Sequence, residues 1–519
     1  MKAAKIGFAG TDARTLLSAF VVSNTRSAEG AGFKGVVLRG MPAMPKFAEI
    51  MGWPVEFIPT RENTVADYAS AAIEGFRHGA LDFLLPMPED LQYQGFVDLL
   101  QEAGFGDRVA GLTRSGSFIE GDKIACKRLC REYNVPVANE WHELDARDSA
   151  GVIRTCLEMI DKHGGAVLKY PYSAGGKGAR IILSSSEVGE IYAILMKDYA
   201  ESYRRICGEG KASVWPLLVE SRMAGVEISF TALVDGHGSF QMLPTAMDYP
   251  ERFPGPPGKD NPITGGMGSI SPHPLESDSL VRMAAENIIR PFVKALKDKG
   301  ILRPCVLYPG CIVSISHNSE GLVPTRIRMC EMNIRPGEPE FQPIALRLKN
   351  LGPLIAAMFE KRLHQLAPEV KTDQLSMTIA LVVGSSNKKG EGKKRGYPWS
   401  HPVGEPVTID FGWFKKNLGF RLVPSAMSWR DDGSFVTAGS RVVYLAANAG
   451  MKAGEKRGAT AERLRQKLLT QITGDSAKIK VVPEEDAQGN RLDFRGDVGS
   501  DFGKIDMLDQ EASYASADA

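Results

Sequence analysis

The stretch GGAVLKYPYSAGGKGARIIL at residues 164–183 decides the fold. Lys169 closes an apolar run, Gly176 and Lys177 follow in a glycine-rich turn, and a second apolar run ends the segment. This order predicts a β-hairpin whose turn can lay backbone amides and a flexible cation over a chain of phosphates. A Walker loop is excluded, because neither a helix nor a Lys-Ser/Thr ending follows. Taken alone, the segment fits a plain glycine hairpin equally well.

Composition places the chain among globular proteins. It has 519 residues, 43% of them hydrophobic, with 63 basic and 62 acidic side chains. This length predicts about three domains, and a net charge of +1 gives no overall field for nucleic acid or an anionic membrane. No apolar run is long enough to cross a bilayer and no secretory leader is evident, so we expect a cytoplasmic protein. The seven cysteines lack paired Cys-x-x-Cys spacing and indicate reduced core residues.

The first hundred residues alternate short apolar runs with helical patterns, beginning with KIGFAG at 5–10 and a helix from about Asp12. Strands that alternate with helices predict a parallel sheet with right-handed crossovers. Gly7 and Gly10 lie where the first strand turns into the first helix, a place where helix N-terminal amides can meet an anion. A tight turn explains these glycines equally well, because the full dinucleotide-binding pattern is absent.

Two further patterns place charged groups in the middle of the chain. Residues 115–132 have apolar positions at helical spacing, with Lys123 near the start of the predicted helix. A predicted strand pair with a turn at Gly225 would place Glu220 and Glu227 on adjoining strands. Lone lysines and strand carboxylates are commonly solvated surface groups. Taken one by one, these residues therefore do not indicate a binding site.

Two stretches in the second half of the chain point to chemistry. A loop rich in glycine and proline spans 245–274 and includes TGGMG at 264–268; long loops of this kind are usually functional. Further on, Glu331 and Asn333 are two apart in a predicted strand, so both side chains share a face, with Arg335 next on it. Oxygen ligands beside a cation suit Mg²⁺ bound to nucleotide phosphates, although a polar outer face fits the same pattern.

The last part of the chain has a different pattern. After about residue 375, strands with turn signals and one helical segment predict a separate α+β domain. The basic loop at 388–395 is most simply a solvated loop, with phosphate contact as the alternative. The segment at 508–519 is expected to be disordered.

In this order, the lysines, the glycine-rich hairpin, the glutamates, the TGGMG loop and the Glu-x-Asn strand resemble the ATP-grasp superfamily. More closely, they resemble the family of phosphoribosylamine–glycine ligases, over nearly the whole chain. TGGMGSISP and the Glu-x-Asn-x-Arg-x-Gly-x-Pro-Glu string are specific, so few chance matches are expected. The similar segments are IEGDK at 119–123, LKYPYSAGGKG at 168–178, VESRMAGVEIS at 219–229, LPTAMDYPERF at 243–253, PITGGMGSISP at 262–272 and EMNIRPGEPEFQP at 331–343.

The resemblance implies a fold of mixed α/β and α+β class. We expect a Rossmann-like domain at 1–118 and an ATP-grasp domain at 119–373, with a mobile lid around 135–222. A C-terminal α+β domain would follow at 374–507, ahead of the tail at 508–519. Lid closure would exclude water from an acyl phosphate that hydrolyses readily.

The resemblance also implies a reaction. ATP and glycine would give glycyl phosphate and ADP, and the amine of 5-phosphoribosylamine would then attack the activated carbonyl, as in purine biosynthesis. The cofactors would be ATP and Mg²⁺ or Mn²⁺, and the partners would be small molecules, with a monomer expected and no nucleic acid or membrane.

By the same resemblance, each site residue receives an expected role. ATP would be bound by Lys123, Lys169, Gly176, Lys177, Glu220 and Glu227, and the metal by Glu331 and Asn333. Lys177, Gly266 and Arg335 would act in catalysis. The substrates would be bound by Gly10, Glu89, Asp248, Thr264, Gly265, Arg335 and Glu338.

The chain departs from the family pattern mainly on the acceptor side. The family's Gly-x-Gly-Gly-Arg-Glu-His-Ala loop is GFAGTDAR here, which loses an arginine and a histidine. Its Gln-Asp-His-Lys becomes MDYP at 247–250, the Asn before TGGMG becomes Ile263, and Phe-Gly-Asp becomes PGE at 336–338. A phosphorylated sugar would lose cationic contacts. The candidates to replace this charge are Arg14, Arg252 and Lys259.

Three hypotheses follow. The first is a ligase of this family whose substrate contacts have drifted. The second is an ATP-dependent carboxylate–amine ligase of the same architecture that acts on another amine or carboxylate. The third is a non-catalytic nucleotide-binding regulator, which the retained lysines and the Glu331 and Asn333 pair argue against.

Overall fold

The computed structural model describes residues 3–172, 178–207, 215–256, 261–318, 321–384, 396–399, 403–439, 441–474, 476–481 and 492–503. The predictions for Gly176, Lys177, Lys259, the basic loop at 388–395 and the segment at 508–519 lie outside the described residues.

The N-terminal part is a four-stranded parallel sheet in the order β3-β2-β1-β4, as predicted. Asp12 begins the first helix by accepting the Thr15 amide at 3.0 Å. At Gly35 the sheet touches that helix so closely that a Cβ would lie 1.9 Å from the Ala19 carbonyl oxygen, so only glycine fits. The elements are β1 Ala4–Gly10, α1 Ala13–Ser23, β2 Phe33–Arg39, α2 Ala43–Met51, β3 Val55–Ile58, α3 Val65–Arg77, β4 Phe83–Pro86, α4 Glu89–Tyr93 and α5 Phe96–Glu102.

The next part holds an antiparallel sheet in the order β5-β8-β6-β7. The hairpin predicted at 164–183 is confirmed, since Lys169 pairs with Ala179. The helix predicted over 115–132 is two helices, because Asp122 ends one and caps the next by accepting the Ile124 and Ala125 amides. The elements are α6 Phe118–Gly121, α7 Lys123–Glu132, β5 Trp141–Asp145, α8 Ser149–His163, β6 Ala166–Lys169, β7 Ala179–Ile182, α9 Val188–Cys207 and β8 Pro216–Ser221.

The central part is built around the long antiparallel pair β14 and β15. Glu220 lies on β8 and Glu227 on β9, which pairs with β14, so the expectation of adjoining strands is wrong: the chain changes sheets between them. Arg335 lies beyond the end of β15 rather than on its face. The elements are β9 Val226–Ser229, β10 Ala232–Val234, β11 Phe240–Met242, β12 Met247–Asp248, β13 Gly268–Ser271, α10 Asp278–Ala284, α11 Arg290–Asp298, β14 Cys305–Asn318, β15 Gly321–Asn333, α12 Phe341–Arg347 and α13 Leu351–Phe359.

The C-terminal part continues one of the central sheets. β16 pairs with β13 on one side and β21 on the other, giving the order β12-β13-β16-β21-β18, and a separate sheet has the order β19-β20-β17-β22. The backbone hydrogen bonds between β13 and β16 therefore cross the domain boundary predicted after residue 373. The elements are β16 Gln374–Val383, β17 Pro406–Ile409, α14 Phe411–Lys416, β18 Phe420–Pro424, β19 Met427–Trp429, β20 Phe435–Thr437, β21 Arg441–Gly450, α15 Arg457–Leu469, β22 Ile479–Val481 and β23 Leu492–Asp493.

In the described part of the chain, no helix combines the length and apolarity that a membrane crossing requires. One large apolar core joins the N-terminal sheet, helices α12 and α13 and the C-terminal sheet. A second core lies beneath the β14–β15 pair, and a third fills the β5-β8-β6-β7 part. The strands that carry the polar residues described below therefore pack on apolar cores, which hold them in place.

His273 is a buried histidine that predicts a measurable pH dependence of stability. Its Nδ1 accepts the Leu275 amide at 3.1 Å, Nε2 has no partner, and burial lowers its pKa from 6.5 to about 3. The unfolded chain binds a proton below pH 6.5 and the folded chain does not, so stability is lost as pH falls.

We expect this group to contribute about 2 kcal/mol of the stability lost between pH 7 and pH 5. In His273→Asn the amide oxygen can still accept the Leu275 amide, so the variant should lose about that much less over this interval. Urea unfolding at the two pH values measures the difference. Equal losses in both proteins would contradict a buried neutral imidazole.

Candidate functional site

One end of the site is a buried carboxylate between two lysines. Glu220 on β8 is 1% exposed. One of its carboxylate oxygens contacts Lys169 of β6, and the other lies 3.1 Å from Lys127 of α7. Burial opposes the charge on Glu220, but Lys127 and Lys169 outweigh it and hold its pKa below the usual range. Both oxygens face lysines, so a ligand would reach Glu220 only by competing with them.

A second ion pair lies at the end of β15. Lys123 opens α7 and its Nζ lies 3.0 Å from the Glu331 carboxylate. Lys123 is the main cause that lowers the pKa of Glu331 to about 2, against the opposing effect of burial. The Asn333 side-chain amide donates to the Tyr308 carbonyl oxygen at 3.1 Å and also interacts with Glu331. The predicted lysine, carboxylate and amide therefore lie together.

This group fits a magnesium ion shared with a nucleotide. Glu331 stays ionised and only half-buried, and the Asn333 amide nitrogen is already bound, which leaves its oxygen as the ligand atom. Two protein oxygens are the number that Mg²⁺ commonly takes when phosphates supply the rest. Within the described residues, no group of three or more His, Cys, Asp or Glu could hold a metal by itself.

Glu227 lies on β9, opposite Ile312 of β14. Its side chain retains exposed surface, yet the surrounding protein and the charge of Glu331 together raise its pKa to about 7. Lys169 acts in the opposite direction. Glu331 of β15 and Lys169 of β6 thus both influence the ionisation of Glu227. The expected pairing of Glu227 with a ribose hydroxyl stays a prediction.

Arg335 is held by two carboxylates. Its Nε lies 2.7 Å from Glu89 and 3.0 Å from Glu120, and its side chain is 12% exposed. Glu120 also accepts the Ile334 amide at 2.8 Å, which fixes the chain just after β15. Burial raises the pKa of Glu120, whereas Arg335 is the main cause that lowers the pKa of Glu89. The arginine is therefore oriented before any substrate binds.

The TGGMG loop is fixed by hydrogen bonds from two directions. Thr264 Oγ1 donates to the Pro250 carbonyl oxygen at 2.8 Å and accepts the Gly266 amide at 3.2 Å. Arg441, at the start of β21, donates to the Gly265 and Gly266 carbonyl oxygens. Gly266 has φ of +92°, and a Cβ there would lie 2.3 Å from Pro339 Cδ, so a side chain does not fit.

Asp248 and Glu340 are carboxyls beside this loop; Glu340 is buried, whereas Asp248 is half-buried with its Oδ1 enclosed. A Cβ on Gly266 would lie 3.0 Å from Asp248 Oδ1, which has no hydrogen-bond partner in the described structure. Burial and the charge of Glu340 hold the pKa of Asp248 well above its usual value. Glu340 accepts the Tyr308 hydroxyl on one oxygen, and its other oxygen has no described partner. Both groups can therefore accept hydrogen bonds from a ligand.

The loop after β1 reaches the same region. Arg14 is 4% exposed; its Nε lies 3.0 Å from Asp12 and 3.8 Å from Glu338, and it donates to the Pro336 carbonyl oxygen. Gly10 ends β1 directly before this loop. Thr11 stands where the family pattern has an arginine. Arg14, three residues later, places a guanidinium in the same loop, but this group is paired with carboxylates.

Arg252 is not available to a substrate. It is fully buried, donates to the Tyr397 carbonyl oxygen at 2.9 Å and lies 2.6 Å from Asp493 of β23. These contacts join the loop at 245–274 to the C-terminal part. Of the proposed replacements for the lost cations, only Arg14 lies among the site residues in the described structure.

Sequence reasoning missed Lys127, Arg441 and Tyr308. Lys127 was detectable, because it lies one helical turn after Lys123 and therefore on the same face of α7. Arg441 and Tyr308 gave no local signal, since the groups that they contact lie far away in the sequence.

Residues 121–341 match the family model of the phosphoribosylglycinamide synthetase ATP-grasp (A) domain. A phosphoribosylamine–glycine ligase of Rhodopirellula baltica is 28% identical over 379 residues, covering 73% of this chain and 78% of the relative. A ligase of the same name from Chlorobaculum tepidum is 27% identical over 401 residues, covering 77% of this chain and 83% of the relative.

Solved structures show the same fold. The phosphoribosylamine–glycine ligase of Thermotoga maritima has a TM-score of 0.63 at 19% identity, covering 95% of this chain and all of that one. The biotin carboxylase domain of 2-oxoglutarate carboxylase from Hydrogenobacter thermophilus, solved with MgADP and bicarbonate, has a TM-score of 0.60 at 14% identity, covering 98% of this chain and 96% of that one. The predicted ATP-grasp fold class is confirmed.

Proposed function

Because this chain carries the ATP-grasp domain of the phosphoribosylglycinamide synthetase family, we propose that it is an ATP-dependent carbon–nitrogen ligase that joins glycine to 5-phosphoribosylamine. The reaction forms glycyl phosphate and ADP, and then glycinamide ribonucleotide and phosphate. Curated relatives with the name phosphoribosylamine–glycine ligase support this substrate pair.

The observation that carries the proposal is the Lys123–Glu331 pair with Asn333 beside it. The 3.0 Å contact places a cation next to an ionised carboxylate at the end of β15. Lys169, which pairs with Glu220, also acts electrostatically on Glu331, and Arg335 follows the end of β15 by two residues. Phosphoryl transfer needs positive charge around the transferred group, and this order of residues supplies it between a nucleotide end and an acceptor end.

At the nucleotide end, we propose that Lys169 and Lys177 face the phosphates, with Gly176 in the turn between them. Glu220 would hold the adenine end, and Glu227 the ribose hydroxyls. Glu331 and Asn333 would hold a divalent metal ion, Mg²⁺ or Mn²⁺. When bound, the metal supplies positive charge that screens the nucleotide phosphates.

At the acceptor end, Arg335 would contact the reacting carboxylate from the position that Glu89 and Glu120 fix. The glycines of the TGGMG loop would leave room for backbone amides to approach the activated carbonyl. Arg441 donates hydrogen bonds to the Gly265 and Gly266 carbonyl oxygens and so fixes the loop. Gly10, Thr264, Asp248 and Glu338 would contact the two substrates.

The test is ADP release by the purified protein with Mg²⁺ and ATP. Glycine and freshly generated phosphoribosylamine are supplied separately and together. We expect robust release only with both, together with a product whose mass equals that of glycinamide ribonucleotide. If ATP binds and the pair gives no release above the single substrates, this substrate assignment is wrong.

One observation favours a second candidate, a ligase of the same architecture for another amine. Oxygens of Asp248, Glu338 and Glu340 have no hydrogen-bond partners in the described structure, whereas Arg14 is paired with Asp12. Carboxylate oxygens without partners attract an amine and repel a phosphate, and an arginine that is already paired has less charge to offer a phosphate. This part of the site therefore favours an amine that carries no phosphate. A screen of amines and amino acids by ADP release would identify that substrate.

We also propose that the chain acts as a monomer in the cytoplasm, with small molecules as its partners. The domain boundaries at 118 and 373 and a mobile lid around 135–222 belong to the same proposal. Sedimentation measures the oligomeric state. Limited proteolysis with and without ATP tests whether residues 135–222 become protected from cleavage when ATP binds.

A further inference from the structure

Glu338 is a buried carboxyl at the meeting point of three segments. Its side chain is 7% exposed, between the loop after β1 and the start of β21. Gln342 donates to its Oε1 at 2.7 Å and in turn accepts the Thr378 hydroxyl at 3.1 Å. Its Oε2 has no hydrogen-bond partner in the described structure. One oxygen is therefore held in place while the other is left for a ligand.

Charged groups reach Glu338 from two of the segments around it, whereas α12 contributes the neutral Gln342. The loop after β1 contributes Arg14, whose Nε is 3.8 Å from Oε2, and Asp12; β21 contributes Arg441. The Tyr444 hydroxyl of β21 interacts with Glu338, but this buried oxygen also lacks a partner with hydrogen-bond geometry. Neither the Tyr444 hydroxyl nor Glu338 Oε2 has its hydrogen-bonding capacity satisfied in the described structure, so either atom can take a further polar partner.

We propose that Glu338 is the base that accepts the proton from the attacking amine of the acceptor substrate. This inference rests on the proposed function, since it concerns the second step of that reaction. Arg441 joins Glu338 to the chemistry, because the same guanidinium holds the Gly265 and Gly266 carbonyl groups of the loop that faces the activated carbonyl. Glu338 also directly precedes Pro339, whose Cδ would lie 2.3 Å from a Cβ on Gly266, so Glu338 lies beside the loop rather than at the nucleotide end.

The step balances without any further reagent. The amine nitrogen forms a bond to the carbonyl carbon, and the carbon–oxygen bond to phosphate breaks with its electron pair leaving on phosphate. The nitrogen loses one proton, which passes to Glu338 and then to solvent or to the departing phosphate. General bases of this kind contribute typically about 10²–10⁴-fold to rate.

The proton affinity of Glu338 suits this role. Burial first, and then the charge of Asp12, raise its pKa to about 7, while Arg14 and Arg441 act in the opposite direction. A carboxyl with a pKa near the working pH accepts and returns a proton readily. Amide formation should therefore rise with pH through about 7 in the native protein and level off above it.

The experiment compares Glu338→Gln and Glu338→Asp with Glu74→Gln, an exposed control on α3. Two readouts are measured from pH 5.5 to 8.5: amide formation with phosphoribosylamine, and trapping of glycyl phosphate by hydroxylamine as the hydroxamate. Hydroxylamine reacts as the neutral amine and needs no base.

We expect Glu338→Gln to lose about 10²-fold or more of amide formation and the dependence on pH near 7, while hydroxamate still forms. Glu338→Asp should restore most of the rate and the pH dependence. Asp12→Asn, which keeps the cap of α1, should shift the rise in rate to lower pH, because a charge that opposes ionisation of Glu338 is removed.

Equal losses of amide and hydroxamate in Glu338→Gln would overturn the proposal, because Glu338 would then act in the first step or in folding. An unchanged pH profile in Glu338→Gln would overturn it as well. No hydroxamate from the native protein would instead contradict the proposed function itself, so the two failures are distinguishable.

Discussion

Glu331→Gln should abolish ADP formation, with a loss of at least about 10³-fold. The change keeps the size of the side chain and removes the charge that pairs with Lys123 at 3.0 Å. It also removes the carboxylate proposed to hold the metal, and metal ligation supplies several kcal/mol of transition-state stabilisation. Steady-state ADP release at saturating ATP and Mg²⁺ measures the effect.

The matched control is Glu286→Gln. This exposed carboxylate is also ion-paired, at 2.7 Å to Arg290, but it is not one of the site residues. Its loss should leave turnover within about 2-fold, since exposed ion pairs contribute little. Undiminished turnover in Glu331→Gln would remove the site assignment for every ligase hypothesis, because all of them use the same first step.

Glu220→Gln should give the largest loss of stability. Both Lys127 and Lys169 would remain almost buried without the carboxylate that lies between them. Removal of one partner of a buried ion pair typically costs about 3–5 kcal/mol, because the remaining charge is left uncompensated. We expect the thermal transition of this part to fall by several degrees and binding of ATP to weaken.

Glu143→Gln is the control for this second variant. Glu143 lies on β5 of the same sheet and pairs with Arg128, but both side chains are exposed. Calorimetry and proteolysis measure the stability of both variants, and we expect a larger loss for the buried ion pair of Glu220 than for the exposed ion pair of Glu143. If the two proteins unfold at the same temperature, the contacts of Glu220 do not stabilise this sheet.

The same carboxylate gives the stability of the β5-β8-β6-β7 sheet a pH dependence. The pKa of Glu220 is below its usual value of 4.5 in the folded state. Its contribution to stability is therefore fully present above pH 4.5 and is lost as pH falls below that value. Glu220→Gln should lose less stability than the native protein over this acidic range.

Local patterns were enough to predict the sheet strands and the residues at their ends. The hairpin that carries Lys169 and the strand that carries Glu331 and Asn333 follow from apolar runs with fixed alternation. Glu220 and Glu227 show where this reasoning fails, because a short connection at Gly225 looks like a hairpin turn but passes from one sheet to another. Strand pairing depends on contacts far away in the sequence.

The acceptor side could not be predicted for the same reason. Arg14 meets Glu338 across more than three hundred residues, and Arg441 reaches Gly265 from the C-terminal sheet. The position of Arg14 within a short motif gave no indication that its charge would be used by neighbouring carboxylates. A buried oxygen without a hydrogen-bond partner, such as Glu338 Oε2, can be recognised only in the folded molecule.

The pairing of β13 with β16 has a consequence for synthesis of the protein. Gly268–Ser271 leaves the ribosome about a hundred residues before Gln374–Val383, the strand that covers its edge. Until then, a free strand edge beside the TGGMG loop can pair with another chain and aggregate. A chain cut after residue 373 would keep that edge permanently, so truncation there should yield insoluble protein rather than a smaller ligase.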